Sequence, residues 1–233
     1  MKTNDFLNSV FAEGCSYDTT DGVVFGQAIL DGKPVKILGV ENDTFLGVKQ
    51  ALLMAEKVVE TIEEGKQTPI FMPVDVAGQK LAMQDEWLSM NQYFAHLLEA
   101  LEVARNSGHT LISAVYNQAI GGGFIAFGLM CDQIYALPEA KVAVMWLEGM
   151  AKVTKISQSR LEELSKTSAV FAPGIENFKN LGGIHKVLNI EEIPENLKKD
   201  LYLDYEGDER AKLGFERGGR KWALPVMEQI LNS

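Results

Sequence analysis

Three consecutive glycines, Gly121, Gly122 and Gly123, stand a few residues after the apolar run Leu111 to Tyr116. A short apolar run of this kind suits a buried strand. Glycines at its exit let the backbone turn sharply and approach a ligand closely. Phe124 to Cys131 follows with apolar character all round, as expected of a helix buried in a core. The sequence therefore predicts strand, glycine turn and buried helix in succession. The first N–H groups of such a helix lack intrahelical acceptors and, aided by the helix dipole, can hold an oxygen that becomes negative.

A second stretch has the same layout. Ile70 to Val74 reads as a strand, bracketed by Pro69 and Pro73, so that an edge position or an early end is expected. Asp75-Val76-Ala77-Gly78-Gln79 then reads as a polar turn, and a long amphipathic helix is predicted from about Asp85 to Arg105, ended by Asn106-Ser107-Gly108. Two strand–turn–helix units in sequence imply an α/β layer with both turns on one sheet edge, where ligands usually bind. Each turn can then give one backbone donor to a shared oxygen.

Around these units, Val23 to Leu30 and Pro34 to Val40 form a hairpin through Asp31-Gly32, two residues that tolerate positive φ. Thr44 is a candidate cap for a helix carrying Val48, Leu52, Ala55, Val59 and Ile62 on its inner face. Ile134 to Leu137 and Val142 to Met145 read as further strands. Beyond about residue 151 the chain turns helical and charged, with Ser157 to Lys166 the clearest segment and Trp222 to Leu231 a final helix.

Bulk properties narrow the function. The chain has 233 residues, 46% of them apolar, enough for one large core, and a single domain over residues 1–233 is expected. A formal charge of −10 argues against a nucleic-acid surface, which needs a basic footprint. Two cysteines, Cys15 and Cys131, make a disulfide scaffold improbable and favour a reducing compartment. The amino-terminal stretch lacks a signal-like apolar run, and Ala119 to Cys131 is shorter than the roughly 20 residues of a membrane span. A cytoplasmic protein without membrane attachment is expected. No His, Cys and Asp grouping has metal spacing.

The central stretch, with Ala114, Ala119, the glycine triplet and Cys131-Asp132, resembles the crotonase superfamily, whose members carry A-x-x-x-x-A-x-GGG before a buried helix. DVAGQKLAMQDEWLSMNQYFAHL, AIGGGFIAFGLMCDQIYALPEAKVAVM, GMAKVT, FAPG and GFERGGRKWA together resemble the family of malonate decarboxylase gamma subunits, in the carboxyltransferase branch of that superfamily. The resemblance covers most of the chain. It implies a crotonase-like α/β fold, a ββα superhelix whose C-terminal helical part is about 151–233. It also implies decarboxylation of a malonyl thioester on an acyl carrier protein, by a complex with a related beta subunit and an acyl transferase subunit. No covalently bound cofactor is implied; a coenzyme A-like arm of the carrier delivers the substrate.

Carried onto this chain, the oxyanion donors are Gly78 of the first turn and Gly122 and Gly123 of the second. Gln79 and Gly121 adjoin them as substrate-binding candidates. Arg217 and Arg220 frame Gly218-Gly219 and are candidates to grip phosphate of the carrier arm, or else to pair with the acidic run before them. Glu148 stands near where hydratase-like relatives place a carboxylate, though an acid at a helix start explains it as well. His96 reads as a solvated helix residue, His109 and His185 as loop residues, and Tyr93 and Tyr116 as core. Two other readings fit the same residues: an alpha-type carboxyltransferase subunit of a biotin-dependent acyl-CoA carboxylase, and a non-catalytic subunit that completes the interface.

Overall fold

The computed structural model describes residues 1–168, 172–203, 205, 207–219 and 221–233. Helix α1 (Thr3–Val10) precedes an antiparallel ribbon of β1 (Cys15–Thr20), β2 (Val23–Leu30) and β3 (Lys33–Leu46). The Asp31-Gly32 hairpin is present, with φ of 54° and 69°, the paired left-handed conformation that matches strand twist. Helix α2 (Val48–Glu63) crosses to β4 (Ile70–Gln79). Helices α3 (Met83–Trp87) and α4 (Met90–Asn106) cross to β5 (Leu111–Ile120). After the short α5 (Gly121–Ile125) come β6 (Gln133–Ala136) and β7 (Lys141–Ala143). The chain continues through α6 (Leu147–Thr154), α7 (Gln158–Ser165), α8 (Ile175–Asn180), β8 (Lys186–Val187), α9 (Ile193–Asp200), α10 (Arg210–Glu216) and α11 (Ala223–Leu231).

The strands form one sheet in the order β1-β2-β3-β4-β5-β6-β8, with β7 paired to the far end of β5. From β3 onward the pairings are parallel, so the carboxyl ends of β3, β4 and β5 lie together. One face packs Met54, Val74, Leu97, Leu101, Val115 and Phe127 under α2 and α4. The other packs Phe6, Phe11, Phe71, Tyr135 and Leu197 under α1 and α9. Each such large side chain taken fully out of water contributes about 1.5–3 kcal/mol.

Several sequence expectations change in the structure. Strand β4 lies in mid-sheet, not at an edge, despite Pro73. A Cβ on Gly39 of β3 would stand 2.1 Å from the Pro73 carbonyl oxygen and 2.7 Å from its ring Cδ, so the bare glycine makes room for the proline. The expected polar turn 75–79 is the end of β4, paired with β3 through Phe45–Gly78 and Leu46–Gln79. Thr44 caps no helix; it lies in β3 and its hydroxyl donates to the Glu41 carbonyl at 2.6 Å. The start of α2 is instead satisfied from a distance, Val48 N–H donating to Asp85 Oδ1 at 2.9 Å.

The inner face of α2 is Val48, Ala51, Met54, Ala55 and Val58, whereas Leu52 and Val59 are exposed. Apolar residues at both three- and four-residue spacing offer two stripes, and the one with small Ala51 and Ala55 is the one buried. The long helix 85–105 is broken at Ser89, whose φ of 61° ends α3 before α4 begins. The buried helix expected over Phe124–Cys131 is replaced by α5 and a 3-10 turn at Gly128–Met130. Phe124 folds back over Gly128, where a Cβ would lie 2.4 Å from its ring.

The register carries further irregularities, two of them facing each other across β4. Val40 pairs with Val74 and Thr44 with Val76, so Glu41, Asn42 and Asp43 arch out opposite the single residue Asp75. On the other side Val115 pairs with Val74 and Ala119 with Val76, so Tyr116, Asn117 and Gln118 do the same. Asn42 and Asp43, with φ of 58° and 52°, take the left-handed conformation that the first arch requires. Such bulges bend a strand and concentrate beside functional sites.

Candidate functional site

The two glycine segments meet. Gly78, the penultimate residue of β4, has φ of 129°, and a Cβ there would meet nothing closer than Ile120 O at 3.7 Å. Glycine is needed there for conformation rather than for space. Gly123 is different: a Cβ there would lie 2.6 Å from Gly78 O and 2.8 Å from Val76 Cγ2. Side-chain atoms do not fit at such separations, so the second bend presses directly on the first. Gly121, with φ of 55°, starts α5 and faces the Val144 carbonyl.

Gln79 joins the bends chemically. Its Oε1 accepts the Gly122 N–H at 2.9 Å, so an amide oxygen from the first bend sits on a backbone donor of the second. Lys80 N–H, one residue on, donates to Leu46 O at 2.7 Å and fixes that bend to β3. Gly78, Gln79, Gly121, Gly122 and Gly123 are thus brought together. The main-chain donor whose acceptor the structure shows there is the Gly122 N–H, held on the Gln79 amide oxygen.

Other candidates lie elsewhere. The Arg217 guanidinium donates to three main-chain carbonyls, those of Lys179 (3.0 Å), Ile184 (2.8 Å) and His185 (3.1 Å), and so holds the loop between α8 and β8. Arg220 lies outside the described residues. Glu148 is exposed on the first turn of α6 and pairs with Lys152 at 2.8 Å. His96 is exposed on α4, and His109 is buried with Nδ1 2.8 Å from Thr68 O. Tyr116 stacks on Phe6 and its hydroxyl lies 2.9 Å from Thr3 Oγ1.

A cavity of about 840 Å³ opens at the amino ends of β5 and β6, lined among others by Arg105, Asp132, His185 and Arg210. It includes neither bend. Its charges are largely paired: Asp132 accepts the Leu111 N–H at 2.8 Å and sits 2.9 Å from Arg105 Nε, and Arg210 pairs with Asp208. Cys131 is buried and unbridged, and burial pushes its thiol up to about 12. The Cys131-Asp132 pair therefore serves packing and capping rather than reaction. Among the described residues no cluster of metal-ligating side chains occurs, and no helix is long and apolar enough to cross a membrane.

What sequence reasoning missed is the polar group around Asp75. An aspartate inside the apolar run of β4 was its signal. Asp75 is only 3% exposed and its Oδ2 accepts Asn117 Nδ2 at 2.9 Å, while Gln118 Nε2 donates to Asp43 Oδ1 at 2.7 Å.

The sequence and the fold as a whole are matched by known proteins. Residues 41–233 match the family model for MdcE, the malonate decarboxylase gamma subunit. The chain belongs to that family. It is 31% identical over 241 residues to the malonyl-S-ACP:biotin-protein carboxyltransferase MADD of Malonomonas rubra, covering 94% of this chain and 79% of that one. It is 24% identical over 225 residues to the acetyl-coenzyme A carboxylase carboxyl transferase subunit alpha of Marinomonas sp. (strain MWYL1), covering 85% and 69%. Among solved structures, a Pseudomonas malonate decarboxylase hetero-tetramer in complex with coenzyme A superposes with a TM-score of 0.85 at 22% identity, covering 97% of both chains. The Pseudomonas MdcD-MdcE hetero-dimer gives a TM-score of 0.79 at 24% identity and the same coverage. The chain has the crotonase-like fold of malonate decarboxylases and carboxyltransferases, as the glycine motif led one to expect.

Proposed function

We propose that the two bends clamp the thioester oxygen of malonyl thioester as it loses carbon dioxide. When the bond between C2 and the carboxylate carbon breaks, its electron pair moves into the thioester and leaves an enolate oxygen. Carbon dioxide departs, and a proton then adds to C2 to give the acetyl thioester. Neither a nucleophile nor a metal is needed where aligned N–H groups meet that charge away from water, and losing one such donor typically costs about 2.7–4 kcal/mol in the barrier. The observation that carries the reading is Gln79 Oε1 on Gly122 N–H beside the Gly78–Gly123 contact. An amide oxygen and a thioester oxygen are both carbonyl acceptors of similar size, which supports reading this donor as one for an acyl group.

The substrate is proposed to arrive on an acyl carrier protein through a coenzyme A-like arm, and the working unit to be a heteromer with a beta subunit and an acyl transferase subunit. Support for the beta subunit comes from the surroundings of the bends. Leu81 (84% exposed), Met83, Trp87 (78%), Val144 and Trp146 leave apolar surface in water just beyond Gln79 and Gly121. Large apolar side chains left in water around one site support a protein partner there. Related Pseudomonas chains crystallise as a hetero-dimer and a hetero-tetramer.

A second reading has its own support, because the relative from Malonomonas rubra is named for transfer to a biotin protein. Carbon dioxide release from malonyl thioester by the assembled complex, with avidin present, separates the two. Turnover that persists supports direct decarboxylation. Turnover that requires a biotinylated acceptor overturns it in favour of transfer.

A further inference from the structure

Asp75 is the one residue of β4 opposite which both neighbouring strands arch away, and it lies three positions before the Gly78 bend. The arches supply its surroundings. From β5, Asn117 Nδ2 donates to Asp75 Oδ2 at 2.9 Å, and from β3, Asp43 stands beside the same carboxyl. Gln118 closes the group by donating to Asp43 Oδ1 at 2.7 Å, which joins the ends of β5 and β3. Asp75 Oδ1 is buried without a hydrogen-bond partner. A buried carboxyl oxygen without a hydrogen-bond partner is costly in such a place. Burial, with Asp43 adding to it, holds this carboxyl above the usual carboxylate range.

The placement explains the cost. A Cβ on Gly123 would lie 2.6 Å from Gly78 O, so only a bare glycine fits against the first bend. Gly78 lies in β4 and Gly123 follows β5 in α5, and the last side-chain hydrogen bond between β4 and β5 before the bends is Asp75 to Asn117. Asn117 also brackets Met1, accepting its ammonium and donating to its carbonyl at 2.9 Å each, so its amide is held in one orientation.

We propose that Asp75 and Asn117 are positioning residues that set the spacing between the two bends, acting through the strand ends and touching no substrate. This rests on the bends being the reacting site. The assay is steady-state release of carbon dioxide from malonyl-coenzyme A by the complex with its beta-type partner, far below the melting temperature and with assembly verified by gel filtration. Asp75→Leu and Asn117→Ala, which remove the tie from opposite sides, are expected to lower kcat at least tenfold with KM within twofold. Asp75→Asn, which keeps an acceptor facing Asn117 Nδ2, is expected to recover activity to within threefold of the parent. If the two variants only lower the melting temperature and leave kcat unchanged, the positioning role is overturned. Should Asp75→Leu fail to fold, Asn117→Ala decides. Gly123→Ala in parallel tests the underlying reading: an inert Gly123→Ala removes the site itself, while an inactive one with a fully active Asn117→Ala removes only the positioning role.

Discussion

Gln79 Oε1 and Gly122 N–H are hydrogen-bonded at 2.9 Å, so the subunit by itself occupies a donor that its substrate would use. On the proposed reading a thioester oxygen displaces a neutral amide oxygen, and the exchange turns favourable as enolate charge develops. Replacing the amide by a carboxylate changes that balance, because hydrogen bonds to a charged acceptor are roughly twice as strong. Gln79→Glu is expected to raise KM for malonyl thioester at least tenfold near pH 7, and Gln79→Ala to lower it. Initial-rate kinetics on the assembled complex check both, and equal KM values would remove Gln79 from the exchange.

Gly123→Ala puts a methyl group 2.6 Å from Gly78 O, against main chain that cannot rotate away. The strain is expected to cost about 1–3 kcal/mol of stability. Turnover is expected to fall about 10²–10³-fold, the loss typical of one misplaced oxyanion donor. Thermal melting and carbon dioxide release on one preparation separate these effects. Full turnover at a reduced melting temperature is the contrary result.

Arg217 spends its guanidinium on three carbonyls between α8 and β8. Hydrogen bonds from a charged donor contribute about 1.5–3 kcal/mol each, less where water shares the site. Arg217→Met is therefore expected to destabilise the fold by about 3 kcal/mol. KM for the carrier-bound substrate is expected to stay within twofold. A tenfold rise in KM with unchanged melting would instead assign Arg217 to the carrier arm.

His185 accepts the Ile134 N–H through Nδ1 at 3.1 Å, and burial, then Arg210 and Arg217, press its pKa down to about 4. The unfolded chain takes up that proton near pH 6.5, whereas the native one refuses it until about 4. Its stability contribution is thus complete above pH 6.5 and is lost as pH falls toward 4, amounting to roughly 3 kcal/mol. Urea denaturation between pH 4 and 7 should show that slope, and His185→Asn, which keeps an acceptor for Ile134, should flatten it. An unchanged slope would assign the acid sensitivity to other groups.

The Asp31-Gly32 turn and Gly121 were legible because each rests on a conformation few other residues adopt, and Gly123 because a side chain there meets the neighbouring backbone. Mid-sheet β4 was not, since Pro73 alone argues for an edge and the accommodating Gly39 is distant in sequence. The break at Ser89 was hidden for a similar reason: nothing local marks that residue for positive φ. Helix α2 was placed but turned, because local spacing cannot say which of two apolar stripes meets α4. At the site, the glycines were recoverable from sequence, but Gln79 folding onto Gly122 and Asp75 reaching Asn117 depend on long-range register. Arg217 shows the converse, an arginine whose partners are carbonyls that no residue pattern announces.

The paired arches flanking Asp75 have a mechanical consequence. For β4 to slide by one step, Glu41–Asp43 and Tyr116–Gln118 would have to be re-threaded on both sides at once, which locks the middle strand like a notch between two teeth. Docking of another subunit can then tilt this sheet or swing the Gln79 side chain, but it has no easy means of shearing one glycine segment past the other.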